Sequence, residues 1–213
     1  VGKLASCKVI VSRRDMGIWY TPGYLKALSF LNRFTNLVIA NSEAVKDIVF
    51  EKEKIEKDKV KVIYNGLIKS TRTDDCKAIP YSRDESKISL GLVANIRSVK
   101  RHDLLFDALA IVLRKHPNIH LYCVGGVYDE PYMALLDDKI EALKLENIVT
   151  FVGGVEDASP YMSLIDIAVL CSDSEGFSNT VMEYMDNGLP VLATSVGGNP
   201  EIIDDGETGL LVP

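Results

Sequence analysis

From Lys87 to the end of the chain, short apolar runs alternate with helical stretches. Runs such as "KISLGLVA" and "DIAVLCS" are apolar at consecutive positions, so both faces of each strand must be covered. Strands separated by helices pair in parallel, with the helices packed on the two faces of the sheet. The sequence therefore predicts an α/β fold with a Rossmann-like, doubly wound parallel sheet. Strands are predicted at 87–94, 119–126, 148–154, 166–172 and 190–198, and helices at 102–116, 132–145, 160–165 and 179–187.

The beginning of the chain shows the same alternation in a shorter form. Three β runs, "CKVIVSRRD", "TNLVIANSEA" and "DKVKVIYNG", accompany one helical stretch, "PGYLKALSFLNRF". Three strands are few for a doubly wound sheet, so residues 1–68 are predicted to be the C-terminal part of a preceding Rossmann-like domain. Residues 69–86 are polar and contain proline, which is typical of a linker, and residues 87–213 form the second domain. The chain is expected to be a fragment of a longer protein.

The composition excludes several classes of protein. With 213 residues and 47% hydrophobic side chains, the chain can bury a substantial core. No apolar run is long enough for a membrane span or for a secretory signal, so a cytoplasmic location is expected. The four cysteines form no C-x-x-C pair, which argues against both a zinc site and a disulfide framework.

Charge is divided unevenly along the chain. Residues 66–213 contain 12 Lys and Arg against 23 Asp and Glu, and this acidic body argues against nucleic acid as a partner. Residues 1–65 contain 12 Lys and Arg against 7 Asp and Glu. That excess suits an anionic acceptor or peripheral association with the inner face of a membrane. Ordinary solvated surface charge explains the same excess.

A basic loop, "VANIRSVKRHDLL", precedes a helix predicted to open near His102 or Asp103. It contains Arg97, Lys100 and Arg101, and each cation at a helix N-terminus opposes the helix dipole at a cost of about 0.3–1 kcal/mol. The cluster is explained if an anion binds among these side chains, which predicts a phosphate site; surface charge is the alternative. The loop lacks G-x-G-x-x-G, which argues against a nicotinamide oxidoreductase.

Two carboxylates, Glu175 and Glu183, lie eight positions apart in "CSDSEGFSNTVMEYMDNGLPV". On one helix this spacing covers about 12 Å, which fits poorly with a glycosidase pair about 5–9.5 Å apart. Glu175 instead follows a predicted strand and precedes the helix, whereas Glu183 lies one turn inside it and suits paired ribose hydroxyls. The alternative is that Glu183 is an exposed helix residue and that Glu175 is a favourable first-turn acid. The backbone N–H groups at the helix start can bind an anion: Ser178, Asn179 and Thr180.

The segment "SDSEGFSNTVMEYMDNGLPVLATSVGGNPEIIDDGETGLLVP" resembles the C-terminal domain signature of the retaining GT-B glycosyltransferases of family GT4. The resemblance extends through "VGGVEDASPYMSLIDIAVLCSDSEGF" and "VANIRSVKRHDLL". Upstream, "VIANSEAVKDIV" and "KVKVIYNGL" resemble the end of that family's acceptor-side N-terminal domain. The resemblance implies two facing Rossmann domains, with a nucleotide sugar held mainly by the second.

The resemblance also implies a role for each residue of the site. Arg97 and Lys100 would neutralise the donor diphosphate and Glu175 would contact hydroxyls of the transferred sugar, as the catalytic set. Asn95 stands where many members have arginine, with Arg97 as its substitute, and Arg101 stands where glycine is usual. The implied donor-binding residues are Asn95, Val155, Gly176, Phe177, Ser178, Asn179, Thr180 and Glu183, with Val155 at the base and Glu183 at the ribose.

The implied activity is transfer of a sugar, with retention, from a nucleoside diphosphate sugar to a sugar or lipid-linked acceptor in polysaccharide or glycolipid synthesis. No metal or other cofactor is expected. The three histidines, His102, His116 and His120, are expected at the surface or at helix ends rather than in catalysis. Since the family's remaining catalytic groups lie in the first domain, this fragment is expected to be inactive alone. A GT-B nucleotide-sugar epimerase and a non-catalytic nucleotide-sugar-binding domain remain alternatives.

Overall fold

A computed structural model describes residues 7–67 and 79–213. By the density of contacts the chain divides into two units. The first comprises Val1–Gly66, Ser174–Asn179 and Val196–Ile202, and the second comprises Leu67–Asp173, Thr180–Ser195 and Ile203–Pro213. The predicted domain boundaries stay a prediction, and most of the predicted linker, 69–78, lies outside the described residues.

The first unit contains a three-stranded parallel sheet in the order β1-β2-β3. Its three strands and its first helix match the sequence prediction, whereas the second helix was not predicted. That second helix begins after Ser42, whose hydroxyl accepts a hydrogen bond from the Val45 backbone N–H, as an N-cap residue does. The elements are β1 (Ile10–Arg13), α1 (Pro22–Leu31), β2 (Leu37–Ala40), α2 (Glu43–Glu53) and β3 (Val60–Val62).

The second unit contains a six-stranded sheet in which every described pairing is parallel. The predicted α/β, doubly wound architecture is confirmed. The helix predicted near residues 160–165 is a 3-10 helix, Ser159–Leu164, and the last strand was not predicted. The elements are β4 (Ile88–Val93), α3 (His102–Val112), β5 (Ile119–Val124), α4 (Glu130–Leu143), β6 (Val149–Gly153), β7 (Ile167–Leu170), α5 (Asn179–Asp186), β8 (Val191–Thr194) and β9 (Leu210–Val212).

The order of the strands in this sheet, β6-β5-β4-β7-β8-β9, fixes where a ligand can bind. From β4 the chain proceeds outward to β5 and β6, and then returns to build the other half from β7. The reversal creates a crevice beyond the carboxyl ends of the central strands, where open α/β sheets bind their ligands.

Buried side chains of the strands and of the covering helices form the core of this second unit. Leu92, Leu121 and Leu170 from the strands and Phe106 from α3 have almost no exposed surface. Tyr184 of α5 is also fully buried, and its hydroxyl accepts a hydrogen bond from the Val93 backbone N–H at 2.6 Å. This contact ties α5 to the end of β4. Within the described residues, none of the helices has both the length and the apolar character that crossing a bilayer requires.

Candidate active site

A cleft of about 470 Å³ lies at the carboxyl ends of β4, β5 and β6 in the second unit. This volume is in the range of pockets that hold small molecules and cofactors. Three of the predicted donor-binding residues, Asn95, Val155 and Thr180, line it together although they are far apart in sequence. Parallel strands bring their carboxyl ends to one edge of the sheet, which explains why these residues converge.

Glycines let the strand ends approach closely around this cleft. A Cβ atom on Gly125 would lie 2.1 Å from the carbonyl oxygen of Ala94, so no larger residue fits there without a shift of the backbone. A Cβ atom on Gly154 would lie 3.3 Å from the Cα atom of Gly126, which is tighter than most contacts of real side chains. The three glycines of the lining, Gly125, Gly126 and Gly154, therefore bring backbone atoms to the surface of the cleft.

Two loops that border the cleft are joined by backbone hydrogen bonds. The Ile96 N–H donates to the Gly126 carbonyl at 2.9 Å, and the Tyr128 N–H donates to the Ile96 carbonyl at 3.2 Å. The side-chain oxygen of Asn95 accepts from the Gly126 N–H at 3.2 Å. Asn95, in the loop after β4, therefore holds the loop after β5 in place at the cleft wall.

The first predicted cation, Arg97, lies on an aromatic ring. Its guanidinium carbon is 4.9 Å from the centroid of the Tyr128 ring. In the part of the chain that the structure describes, no carboxylate pairs with Arg97. Lys100, the second predicted cation, ends a one-turn 3-10 helix, Ser98–Lys100, whose closing bond runs from the Lys100 N–H to the Arg97 carbonyl at 2.9 Å.

Arg101, the third cation of the basic loop, is held by two carboxylates. Its Nε lies 3.1 Å from Asp103 Oδ1, and its Nη1 lies 2.8 Å from Asp173 Oδ1. These two partners raise the pKa of Arg101, the Asp103 hydrogen bond more than the Asp173 one. Burial favours a higher pKa for Asp103, but hydrogen bonds from Arg101 and Tyr132 outweigh burial and the pKa is lowered. The charge of Arg101 is thus compensated within the protein.

The three histidines have different environments. His102 begins α3 and is fully buried; burial lowers its pKa to about 4, so the ring is neutral at physiological pH. Neither of its ring nitrogens has a hydrogen-bond partner among the described residues. His116 is exposed beyond the end of α3, as predicted. The expectation for His120 was wrong, because it lies within β5, where its Nε2 is 3.0 Å from Thr150 Oγ1.

Glu183 lies in the middle of α5, as the sequence predicted. The side chain is half-buried, and burial raises the pKa of its carboxyl, with a smaller contribution from the charge of Asp157. A carboxylate with a raised pKa is a better hydrogen-bond acceptor for hydroxyl groups than a fully solvated one. The role of Glu183 at a ribose stays a prediction.

The segment that carries Glu175, Ser174–Asn179, packs within the first unit. A Cβ atom on Gly176 would lie 2.1 Å from the Arg14 carbonyl oxygen. The ring of Phe177 lies 5.2 Å from that of Tyr64. In addition, the Asn65 side-chain amide donates to the Asn179 side-chain oxygen at 2.8 Å, as a further contact of this segment.

A glycine turn fixes the backbone of Glu175. The Gly198 N–H donates to the Glu175 carbonyl at 3.2 Å. Gly197 has a φ of 53°, a left-handed conformation that glycine adopts without strain. A Cβ atom at Gly197 would also lie only 1.6 Å from the Glu175 carbonyl oxygen. The backbone conformation of Glu175 therefore depends on the glycine turn at Gly197 and Gly198.

Glu201 secures the segment that contains this turn, and the sequence reasoning missed it. Its two carboxylate oxygens accept from the backbone N–H groups of Glu43 at 2.8 Å and Ala44 at 2.9 Å, at the start of α2. A hydrogen bond from the Tyr64 hydroxyl to Glu201 raises the pKa of Tyr64. The only signal in the sequence is an acid shortly after a glycine turn, in "GGNPEII".

The predicted site residues are divided between the two units. The second unit holds Asn95, Arg97, Lys100, Val155, Thr180 and Glu183, and the first holds Glu175, Gly176, Phe177, Ser178 and Asn179. The pairing of Lys100 with Glu175 around one donor stays a prediction. No group of three His, Cys, Asp or Glu within residues 7–67 and 79–213 is arranged to hold a metal ion.

Comparison with known proteins identifies the class to which this fold and this cleft belong. Residues 87–213 match the family described as glycosyl transferases group 1. Because the match covers more than half of the chain, the chain belongs to this family. The predicted resemblance to GT4-type glycosyltransferases with the GT-B fold is confirmed.

Several curated proteins are similar to parts of this chain. N-acetyl-alpha-D-glucosaminyl L-malate synthase of Bacillus anthracis is 31% identical over 62% of this chain and 33% of its own length. D-inositol 3-phosphate glycosyltransferase of Streptomyces avermitilis is 29% identical over 82% of this chain and 40% of its own. An O-antigen biosynthesis glycosyltransferase of Escherichia coli is 26% identical over 93% of this chain and 57% of its own. The chain therefore spans about a third to just over half of these relatives.

Solved structures share the fold over nearly the whole chain. HepE of Anabaena, in complex with UDP and glucose, superposes with a TM-score of 0.85 at 26% identity, covering 99% of this chain and 59% of that one. A glycosyltransferase of Rickettsia africae superposes with a TM-score of 0.80 at 22% identity, covering 99% of this chain and 57% of that one.

Proposed function

We propose that this chain supplies the donor-binding part of a glycosyltransferase that acts in polysaccharide or glycolipid synthesis. The donor would be a nucleoside diphosphate sugar, and the acceptor a hydroxyl of a sugar or of a lipid-linked saccharide. The observation that carries the proposal is the cleft at the strand ends that Asn95, Val155 and Thr180 line together, with the guanidinium of Arg97 against Tyr128 of the same cleft. The structure of HepE with UDP and glucose supports a uridine nucleotide as the first candidate.

The chemistry of such a transfer places its greatest demand on the leaving group. Negative charge develops on the diphosphate as its bond to the sugar breaks, and preorganised cations and N–H groups lower the energy of that state. Arg97 and Lys100 would supply the cations, and the first N–H groups of α5 would supply hydrogen bonds. Glu183, with its raised pKa, would accept hydrogen bonds from the ribose.

The remaining parts of the prediction belong to the same proposal. Glu175 would contact the hydroxyls of the transferred sugar, and its backbone is already fixed by the turn at Gly197. Retention of the anomeric configuration, metal-free transfer and inactivity of this chain alone are proposed from the family resemblance. The cytoplasmic location and contact with an anionic membrane surface stay predictions.

Calorimetric binding to this chain tests the proposal. UDP, UDP-glucose, UDP-N-acetylglucosamine, GDP and GDP-mannose would be titrated, and we expect a uridine nucleotide to bind. Lys100→Ala should weaken that binding by roughly tenfold or more, because a hydrogen bond to a charged group contributes about 1.5–3 kcal/mol. Lys115→Ala, at an exposed position beyond α3, is the matched control and should leave affinity unchanged. Absence of binding by all five ligands would contradict the proposal.

A further inference from the structure

The partner of Arg97 is an aromatic ring, and this distinguishes it from the other arginine of the same loop. The Arg101 guanidinium contacts two carboxylates, whereas the Arg97 guanidinium lies 4.9 Å from the Tyr128 ring centroid. A carboxylate orients a cation and cancels its charge. An aromatic ring attracts the cation through its quadrupole and carries no net charge, so the full charge of Arg97 is kept.

The backbone fixes Tyr128 relative to Arg97. Ile96, which precedes Arg97, pairs with Val127, which precedes Tyr128, in an isolated parallel bridge. The hydrogen bonds on either side of this bridge join Ile96 to both Gly126 and Tyr128. The two side chains therefore leave adjacent backbones at corresponding positions, and their contact does not depend on two independently mobile loops.

We infer that Tyr128 is a positioning residue that holds the Arg97 guanidinium at the cleft in the orientation required by the diphosphate of the donor. The inference rests on the proposed function, because it assigns the anion to a nucleoside diphosphate. Tyr128 lines the cleft and is 65% exposed, and Arg97 is also exposed, so both side chains are accessible to a ligand. Arg97, an arginine with four rotatable bonds, would otherwise lose that freedom on binding.

The inference is tested by titrating UDP into Tyr128→Leu and Tyr128→Phe variants. The leucine variant removes the ring, and UDP affinity should fall about two- to fivefold, the range expected for an exposed cation–π contact. The phenylalanine variant keeps the ring face and removes the hydroxyl, so its affinity should match that of the original chain. An equal loss in both variants would overturn the inference, because it would assign the effect to the hydroxyl.

A double-mutant cycle shows whether Tyr128 acts through Arg97. In an Arg97→Ala background the additional Tyr128→Leu change should have no further effect on UDP affinity, because the side chain that the ring positions is gone. Uridine, which has no diphosphate, should bind the original chain and Tyr128→Leu equally. A loss of uridine affinity in Tyr128→Leu, or additive losses in the cycle, would show that Tyr128 contacts the nucleoside itself and would overturn the inference.

A ligand-free measurement separates failure of this inference from failure of the proposed function. The ring current of Tyr128 should shift the NMR signals of the Arg97 side chain upfield, and the shift should disappear in Tyr128→Leu and persist in Tyr128→Phe. If the upfield shift is absent from the original chain, the inference fails whatever binds. If the shift is present and none of the five ligands named above binds, the proposed function fails, and with it the assignment of the anion.

Discussion

Arg13 and Arg97 each lie at or just beyond the carboxyl end of a parallel strand, one in each unit, but a carboxylate contacts the first and an aromatic ring the second. Arg13, the last residue of β1, forms two short contacts with the fully buried carboxylate of Glu53, Nε–Oε1 at 2.8 Å and Nη2–Oε2 at 2.9 Å. Arg97 follows β4, and its guanidinium carbon lies 4.9 Å from the centroid of the Tyr128 ring. The charge of Arg13 is therefore compensated inside the protein, whereas the guanidinium of Arg97 lies against a ring that carries no net charge.

The groups around Glu53 show how complete that pairing is. The Tyr20 hydroxyl donates to Oε1 at 2.9 Å, and the Asn32 amide donates to the Glu53 backbone carbonyl at 3.1 Å. The hydrogen bond to Glu53 raises the pKa of Arg13, and burial together with the charge of Glu53 raises the pKa of Tyr20. A buried carboxylate with this many partners connects β1, α1 and α2.

Among the predicted changes in stability, removal of the buried carboxylate of Glu53 should be the largest. Glu53→Ala should lower the free energy of unfolding by about 3–5 kcal/mol, because it leaves the largely buried guanidinium of Arg13 without a partner. Urea denaturation followed by circular dichroism measures the change. Arg97→Ala, which removes a cation that no carboxylate among the described residues contacts, should lower the unfolding free energy by no more than about 0.5 kcal/mol.

A paired substitution is the control for the buried ion pair. Arg13→Met combined with Glu53→Leu removes both charges, and it should cost less than Glu53→Ala alone because no unpaired charge remains. If the single and the double variants unfold at the same urea concentration, the carboxylate contributes through packing, and the contrast between the two arginines would not hold.

The second prediction concerns His102, the buried histidine that follows the basic loop. His102 has a pKa of about 4, below its ordinary value of about 6.5, because burial disfavours the charged ring; Asp103 and Lys100 act on it in opposite directions. The unfolded chain therefore binds more protons than the folded chain between these values. The contribution of His102 to stability is complete above about pH 6.5 and falls by about 3 kcal/mol as the pH decreases to about 4.

A variant isolates this contribution from the titration of carboxylates. His102→Phe keeps a ring of similar size and cannot be protonated, so its unfolding free energy should lose less between pH 7 and pH 4 than that of the original chain. Urea denaturation at a series of pH values measures both curves. Parallel curves would show that His102 is protonated in the folded state at little cost. That result would disagree with its burial and with the lack of a hydrogen-bond partner for its ring nitrogens among the described residues.

The sequence predicted those parts of the fold that depend on local pattern. Strand β4 is apolar at nearly every position and was predicted within a residue at each end. Helix α2 was missed because "EAVKDIVFEKE" is rich in charge and only Val45, Val49 and Glu53 are buried on it. Strand β9 has only three residues and is an edge strand, so no periodicity could develop.

The site was predictable to the extent that it follows from topology. Asn95, Val155 and Thr180 were proposed from strand ends and a family signature, and the cleft brings them together. Tyr128 and Glu201 were missed because their contacts depend on tertiary structure: Glu201 contacts residues 158 and 157 positions away. A tyrosine in a loop or an acid after a turn has no periodic signal that indicates a distant partner.

The smallest predicted effect concerns Arg101, which combines a strained backbone with a paired charge. Its φ of 50° is left-handed and costs a non-glycine residue about 1–2 kcal/mol, whereas its partially exposed ion pairs with Asp103 and Asp173 contribute about 0.2–1 kcal/mol each. Arg101→Gly removes both the strain, which is unfavourable, and the ion pairs, which are favourable. The free energy of unfolding should therefore change by less than about 1 kcal/mol. Arg101→Ala keeps the strain and loses the ion pairs, and should be the less stable of the two.

The same pair of variants shows whether the carboxylates rather than the backbone define the role of Arg101. NMR titration of Asp103 should give a higher pKa in both variants than in the original chain, because the hydrogen bonds from Arg101 that lower it are lost. An unchanged Asp103 pKa would mean that Tyr132 alone sets it. In that case Arg101 would not be the compensated counterpart of Arg97, and the basic loop would carry three cations that a phosphate could bind.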